Sequence, residues 1–202
     1  MRDFDFIEIG TSDFDTIVQI CPEESVGLVI EPLGYYLARL PDKPHVKKMQ
    51  LAVAFDDTER ISTIYYVHPD DILRYKLPAW LRGCNRIDDY HVEHLKLNIR
   101  DIVRKEDVLQ VPIGKILDEN NVRGVRVLKT DTEGADCRIL MSFFRHLQDS
   151  GKGKEYLPLT IIFENNGMTC RKELNELLAL TTALGYLTGE QSGDELTLIY
   201  NK

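Results

Sequence analysis

The stretch from Phe4 to Asp13 constrains the fold more than any other part of this sequence. Phe4 to Ile9 is a nearly continuous apolar run, which is typical of a strand buried on both faces. Glu8 stands at the carboxyl end of this strand, and Gly10 allows a tight turn and a close approach to a ligand. Asp13 can cap the helix that follows. This order predicts a nucleotide-type site in an open parallel sheet.

The rest of the chain alternates in the same way. Apolar runs predict strands at 26–31, 46–55, 60–67, 108–111, 125–131 and 159–163, with helices between most of them. The last two predicted strands, 186–189 and 196–200, are joined by a turn so short that they must be antiparallel. We therefore predict an α/β fold, a three-layer Rossmann-like sandwich whose mostly parallel seven-stranded sheet ends in an antiparallel C-terminal hairpin.

Size and charge exclude several classes of protein. The chain has 202 residues, which fits one domain because single cores grow to roughly 250 residues. Its net charge of −8 argues against a nucleic-acid partner. No apolar run approaches the roughly 20 residues of a membrane span, and the amino terminus is unlike a signal peptide. Four scattered cysteines without a Cys-x-x-Cys pair predict reduced thiols and a cytoplasmic location.

The segment from His68 to Glu106 breaks the alternation. It contains two prolines and the only tryptophan, Trp80, and no regular strand–helix unit fits it well. Long irregular connections are commonly binding loops, so we predict a lid-like insertion at about 68–106 within a single domain of residues 1–202. The alternative is an insertion that only packs over the sheet, with Trp80 and Leu81 as its anchor.

Acidic residues end four of the predicted strands: Glu8, Glu31, Asp131 and Glu164. Ligands of open parallel sheets bind outside these strand ends. A row of acids suits a ligand with ribose hydroxyls and positive charge, whereas a pyrophosphate needs bare amides and cations. Glu31 follows the glycine turn by about 20 residues, as an acid that accepts both ribose hydroxyls does. A solvated strand-end acid is an equally good interpretation of Glu31 alone.

Five stretches in chain order resemble the FkbM-type methyltransferases, a branch of the class I S-adenosylmethionine-dependent enzymes. The most specific is Lys-Thr-Asp-Thr-Glu-Gly-Ala-Asp at 129–136, close to the family's Lys-x-Asp-x-Glu-Gly-x-Glu. The others are Glu-x-Gly at 8–10, Ile-Glu-Pro at 30–32, Ala-Val-Ala at 52–54, and Ile-Phe-Glu at 162–164 with the later Gly-Tyr at 185–186. The chain departs from the family in its first turn, where Ser12 and Phe14 replace further glycines.

The resemblance implies the residues of a donor site for S-adenosylmethionine. The first turn would hold the methionine part, Glu31 the ribose hydroxyls, and Asp56 the amino group of the adenine. The full donor set is Glu8, Gly10, Thr11, Ser12, Asp13, Glu31, Pro32, Ala54, Phe55, Asp56 and Asp131. The acceptor would be a hydroxyl on a sugar, a glycan or a small metabolite, and its predicted contacts are Trp80, Arg86, His91 and Asn165.

Methyl transfer to a hydroxyl needs a group that removes its proton. The candidates are Asp131, Glu133, Glu164 and His91, and a carboxylate is favoured because strand ends position side chains more rigidly than a loop does. Each acid also has a structural alternative: Glu133 could cap the next helix, and Glu164 could pair with a basic residue. Mg²⁺ is a further cofactor that the oxygen atoms of Asp131, Glu164 and Asn165 would accept, although we prefer a metal-free reaction.

Two other classes of function stay open at this point. Glu31 could hold the ribose of NAD in an oxidoreductase, but the full Gly-x-Gly-x-x-Gly fingerprint is missing. A non-catalytic binding module with a methyltransferase fold would explain the altered first turn. The short flank before the first strand leaves one side of the cleft uncovered in a monomer, which favours a homo-oligomer without establishing one.

Overall fold

A computed structural model describes residues 2–87 and 99–201 of the protein. Its strands are β1 (Arg2–Ile9), β2 (Gly27–Ile30), β3 (Val46–Met49), β4 (Ala52–Ala54), β5 (Arg60–Val67), β6 (Arg86–Ile87), β7 (Val103–Pro112), β8 (Val122–Thr130), β9 (Thr160–Glu164), β10 (Tyr186–Ser192) and β11 (Glu195–Tyr200). Its α-helices are α1 (Ile17–Ile20), α2 (Gly34–Leu37), α3 (Pro69–Arg74), α4 (Ile113–Glu119), α5 (Asp136–Asp149) and α6 (Arg171–Leu184).

The main sheet has seven strands in the order β10-β11-β9-β8-β1-β2-β3. The neighbours β1–β2, β2–β3, β1–β8 and β8–β9 are parallel, whereas β11 is antiparallel to both β9 and β10. The predicted α/β class, with a mostly parallel central sheet and an antiparallel hairpin from the last two strands, is confirmed.

Both faces of the main sheet are buried, as the apolar run of β1 predicts. Successive residues of a strand point to opposite faces, so Phe6 and Val29 pack with Val18 of α1, while Leu28 and Ile30 lie on the other face. That second face packs against apolar residues of α4, α5 and α6. The carboxyl ends of the parallel strands are therefore fixed between helices on each side.

A second, smaller sheet stands beside the main one, in the order β4-β7-β5-β6. Its existence corrects the prediction of a single strand over 46–55, which is wrong. The chain turns at Gln50 and Leu51, where the Leu51 N–H donates to the Met49 carbonyl at 3.2 Å. β3 then belongs to the main sheet, and β4 pairs in parallel with β7. β3 is Val-Lys-Lys-Met and partly exposed, whereas β4 is Ala-Val-Ala and buried, but this difference does not show which strand each one pairs with.

The predicted insertion contains more regular structure than its sequence indicates. Its described part includes α3, the short 3₁₀ helices Ala79–Arg82 and Arg100–Ile102, β6 and the start of β7. Leu81 is fully buried among Val67, Ile72 and Ile99, whereas Trp80 remains 51% exposed. Leu81 is therefore the apolar anchor of this segment. Residues 88–98, which include His91, lie outside the described residues.

Two further predictions can be compared with the described residues. No helix within 2–87 or 99–201 has the length and hydrophobicity that a membrane crossing requires. All four cysteines are free, as their spacing predicts.

Candidate functional site

A cavity that is open to solvent lies between the carboxyl edge of the main sheet and the small sheet. The strand order changes direction at β1 and β8, and ligands of open sheets bind at such a point. The lining comes from the ends of β1, β2 and β8, from the small sheet and from the segment after Leu81; it includes Gly10, Ser12, Glu31, Pro32, Val53, Phe55, Gly83, Asn85, Arg86, Gln110, Asp131, Glu133 and Arg138.

Glu31 is the buried acid of this cavity, with 3% of its surface exposed. One carboxylate oxygen accepts from the Ser12 N–H at 2.8 Å, and the other accepts from the Leu33 N–H at 2.9 Å. Burial raises the pKa of Glu31 to about 7, against these two hydrogen bonds. A carboxylate has about four lone-pair sites, so Glu31 can still accept two hydrogen bonds from a ligand.

The turn after β1 is joined to both neighbouring strands. The Gly10 N–H donates to the Ile30 carbonyl, and the Asp131 N–H donates to the Ile9 carbonyl, each at 2.9 Å. Gly10 has φ +77°, and a Cβ at this position would lie 1.9 Å from the Asp131 carbonyl oxygen. The glycine is therefore required by the contact between two strand ends as well as by the tight turn.

Glu8 has a structural partner that the sequence did not predict. Both of its carboxylate oxygens lie 2.9 Å from the Ile17 N–H at the start of α1. Burial raises the pKa of Glu8 to about 7. Asp13 does not cap this helix, so that prediction is wrong; its carboxylate instead pairs with Arg39 at 2.7 Å. The helix start is thus held by an acid from the strand beneath it.

A second cavity adjoins the first, because Gly10, Ser12, Gly83 and Asp131 line both. Glu8, Thr11, Lys129 and Glu195 complete much of its wall. The Lys129 ammonium pairs with Glu195 at 2.8 Å and donates to the Asp15 carbonyl at 3.0 Å. The acids of this wall therefore outnumber its one lysine.

Three carboxylates lie close together beside the cavities: Asp131 lines both, Glu133 lines the first, and Glu164 lines neither. Asp131, Glu133 and Glu164 each place one oxygen within 4.8 Å of the others. Asp131 is open to the cavity, yet the surrounding protein, followed by the charge of Asp136, raises its pKa to about 6. Burial and mutual repulsion raise the pKa of both Glu133 and Glu164. The cluster can therefore accept or release a proton near neutral pH.

Glu164 carries the most isolated oxygen of this cluster. Its Oε1 accepts from the Asn166 amide at 2.5 Å, while its buried Oε2 has no hydrogen-bond partner among the residues that the structure describes. The predicted ion pair of Glu164 with a basic residue is not among the ion pairs of the described residues. Arg86 is the cation that lowers the pKa of Glu133, and so offsets part of the negative charge.

These raised pKa values predict a stability that falls as the pH rises. The folded protein holds protons that the unfolded chain has released, so the free energy of unfolding decreases from about pH 4.5 to about pH 9. Glu164→Gln should flatten this dependence and raise the melting temperature at pH 9 by roughly 2–4 °C, the effect of ~1 kcal/mol in a chain of this size. Glu176→Gln, on the outer side of α6, is the control and should leave the pH profile unchanged. An identical profile in the Glu164 variant would contradict the prediction.

Other predicted residues lie at varying distances from the cavity. Pro32, Phe55 and Arg86 line it, and Ala54 is fully buried without contributing to its surface. Asp56 lies outside the lining, because both of its oxygens bind Arg60 at 2.9 Å. Trp80 is also outside the lining.

Asn165 is occupied by a neighbour in the chain's last hairpin. Its side-chain amide donates to the Gln191 Oε1 at 2.9 Å, and its main-chain carbonyl accepts from the Gln191 amide at 3.1 Å. The three clustered carboxylates supply hard oxygen atoms that could hold Mg²⁺.

Arg138 and Gln110 are cavity residues that the sequence analysis missed. The Arg138 guanidinium lies 3.9 Å from the centre of the Phe55 ring, and the buried Gln110 accepts from Arg60 and Ser62 at 2.9 Å. Arg138 follows the 129–136 string by two residues, which is the one signal that could have identified it. Gln110 offers no such signal, because it reaches the cavity only through the pairing of β7 with β4.

Comparisons with known proteins give this site no family. No protein-family model matches the chain. No curated protein is similar enough to count as a match. The function must therefore be inferred from the residues and geometry of the site itself.

Proposed function

We propose that this protein is an S-adenosylmethionine-dependent methyltransferase that acts on a hydroxyl group. One observation carries the proposal: the buried Glu31 carboxylate faces the first cavity beside the first turn, as an acid that binds ribose hydroxyls would. The sheet supports it, since its order differs from that of a doubly wound dinucleotide sheet only by the antiparallel β11. On this basis we interpret the fold as a three-layer Rossmann-like sandwich.

The two cavities suit the two halves of the donor. The first has apolar walls from Val53, Phe55 and Ile139 for an adenine, next to Glu31 for the ribose. The second has acids, Asp131 and Glu195 among them, for the amino group of the methionine part. Asp131 lines both, so the cationic sulfonium would lie near a negative charge.

The carboxylate cluster defines the side of the acceptor. Asp131, Glu133 and Glu164 offer oxygen atoms that accept hydrogen bonds, so a hydroxyl of a neutral sugar, glycan or small metabolite is favoured as the acceptor. In-line transfer requires positioning of the hydroxyl and removal of its proton. We assign that removal to Glu133, which lines the first cavity, and to Glu164 beside it, because a carboxylate of raised pKa is the stronger base once it has released its own proton.

Calorimetry with three ligands tests the assignment. We expect S-adenosylmethionine and S-adenosylhomocysteine to bind and NAD not to bind, because the acids at the strand ends suit a cationic donor and disfavour a pyrophosphate. Binding of NAD alone would indicate an oxidoreductase. Binding of none of the three would leave a non-catalytic module, and the proposal would be rejected.

A base within the cluster should be visible in the kinetics. With an acceptor found by screening hydroxylated sugars, Glu133→Gln and Glu164→Gln should each lower kcat at least tenfold while the Kd of S-adenosylhomocysteine changes little. The single changes are expected to be partial, since the neighbouring carboxylate within 4.8 Å can take over part of the role. Glu176→Gln, which pairs with Lys172 on the outer side of α6, is a control for added neutral amides. Full turnover in both variants would exclude a carboxylate base.

A divalent cation is a variant of the same proposal. Mg²⁺ held by Asp131, Glu133 and Glu164 would lower the pKa of a coordinated hydroxyl. We retain the metal-free reaction as the proposal. Activity that EDTA abolishes and Mg²⁺ restores would require the variant with the cation.

A further inference from the structure

The segment 79–87 contributes one wall of the cavities. Gly83 lines both of them, and Asn85 and Arg86 line the first. Gly83 also lies against the first turn, because a Cβ there would meet the Phe14 ring at 3.2 Å and the Glu133 carboxylate at 3.9 Å. This wall is thus the part of the insertion nearest to both the donor turn and the carboxylate cluster.

The backbone of Arg82 connects this wall to two other parts of the chain. Its carbonyl oxygen accepts from the Ser12 hydroxyl at 3.2 Å, from the Tyr36 hydroxyl at 2.9 Å and from the Asn85 amide at 2.8 Å. Tyr36 is fully buried. Because a carbonyl oxygen has only two lone pairs, it is fully used by these three donors.

The side chain of Arg82 makes a second connection to the same turn. Its guanidinium lies 4.7 Å from the centre of the Phe14 ring, and Nη1 lies 3.5 Å from Asp13. Asp13 is itself held by Arg39, and only 5% of its side chain is exposed. Ser12 and Phe14, the two residues that depart from a glycine-rich turn, are therefore both bound to Arg82.

Ser12 joins this wall to the ligand cavity. Its N–H donates to Glu31, and its hydroxyl donates to the Arg82 carbonyl. Ser12 has φ +48°, in the left-handed region that few non-glycine residues adopt. Ser12 therefore links Glu31 to the wall through two hydrogen bonds.

We propose that Arg82 is a positioning residue that fixes the wall 79–87 against the first turn, so that donor binding orders the acceptor side of the cavity. The inference rests on the proposed methyltransferase function. Its consequence is an order of binding: the donor enters first, and the acceptor meets a wall that the donor has already fixed. The alternative, that Ser12 and Phe14 mark a degenerate turn, does not account for their shared contacts with Arg82.

Hydrogen exchange of peptides that cover 79–87 tests the role of Arg82. In the free protein, Arg82→Ala should exchange roughly tenfold faster there than wild type, because an ion pair and a cation–π contact are lost. Arg82→Lys should be intermediate, since lysine keeps the charge but lacks the planar group that stacks on Phe14. Arg74→Ala is the matched control: Arg74 also lies over a ring, that of Tyr75, but on α3. It should exchange like wild type.

Addition of S-adenosylhomocysteine tests the coupling. Wild type and Arg74→Ala should show slower exchange in 79–87 with the ligand, and Arg82→Ala should lose most of this protection. Equal exchange and equal protection in the Arg82 and Arg74 variants would overturn the proposal even if the ligand binds. If wild type binds no S-adenosylhomocysteine, the proposed function fails, and the comparison in the free protein still decides whether Arg82 holds the wall.

A milder variant covers the case in which Arg82→Ala does not fold. Tyr36→Phe keeps the buried ring and removes only the hydroxyl that donates to the Arg82 carbonyl. It should speed exchange in 79–87 about two- to fivefold, as expected for the loss of one hydrogen bond. Unchanged exchange in a folded Tyr36 variant would overturn the proposal in that case.

Discussion

Glu31→Ala should weaken binding of S-adenosylmethionine by roughly 10²–10³-fold, since two hydrogen bonds to a charged acceptor are each worth ~1.5–3 kcal/mol. The carboxylate faces the first cavity, and two of its acceptor positions have no protein partner among the described residues. The other acids of that lining, Asp131 and Glu133, follow β8. The measurement is calorimetric titration at pH 8, above the raised pKa of Glu31.

Glu31→Gln separates the charge of this residue from its shape. Glutamine fits the same space, but its NH₂ group would face either the Ser12 or the Leu33 N–H, so one donor would lose its acceptor. We expect weaker binding by roughly 10²-fold together with a small loss of stability. Glu119→Gln, on the surface of α4, is the matched control and should bind like wild type. Wild-type affinity in a destabilised Glu31→Gln variant would show that Glu31 only organises the turn.

Gly10→Ala should destabilise the protein by ~3–5 kcal/mol, a large part of the 5–15 kcal/mol that a typical domain has. The new Cβ would lie 1.9 Å from the Asp131 carbonyl oxygen, so β1 and β8 must separate where their turns meet. The hydrogen bond from Asp131 to Ile9 would be strained by the same shift. A positive φ of +77° adds a cost of its own for alanine. Thermal unfolding should show a melting temperature lower by roughly 10 °C.

Gly151→Ala is the control that isolates the free-energy cost of a positive φ in alanine. Gly151 has a similar φ of +64°, but a Cβ there would meet nothing within 4 Å. We expect a loss of only about 1 kcal/mol in that variant. If the two alanine variants unfold at the same temperature, the close contact between the strand ends contributes nothing to stability, and Gly10 is not required by that contact.

The first strand shows how far local sequence reasoning reaches. Its apolar run predicts burial on both faces, and Phe6 and Ile7 are indeed buried. Glu8 and Gly10 stand at the end of this run, and both line a cavity. Local sequence does not show that Glu8 would hold the start of α1, since nine residues separate it from Ile17.

The small sheet shows where such reasoning stops. An apolar run over 46–55 indicates a buried strand but carries no information about which strand it pairs with. The pairing of β4 with β7 joins residues almost sixty positions apart, and it brings Gln110 to the cavity wall. Arg82 is a similar case, since its contacts with Ser12 and Tyr36 cross 70 and 46 residues.

The amino-acid sequence by itself determined the α/β class, the mostly parallel sheet, the closing antiparallel hairpin and the edge at which acids collect, because these depend on hydrophobic period and turn length. Only the tertiary structure decided that a second sheet closes the cavity, that Glu8 supports a helix, and that Arg82 ties the insertion to the first turn. Those features depend on contacts between residues that are far apart in the sequence. Such contacts are selected by shape and charge in three dimensions, so they leave no periodic pattern in the sequence.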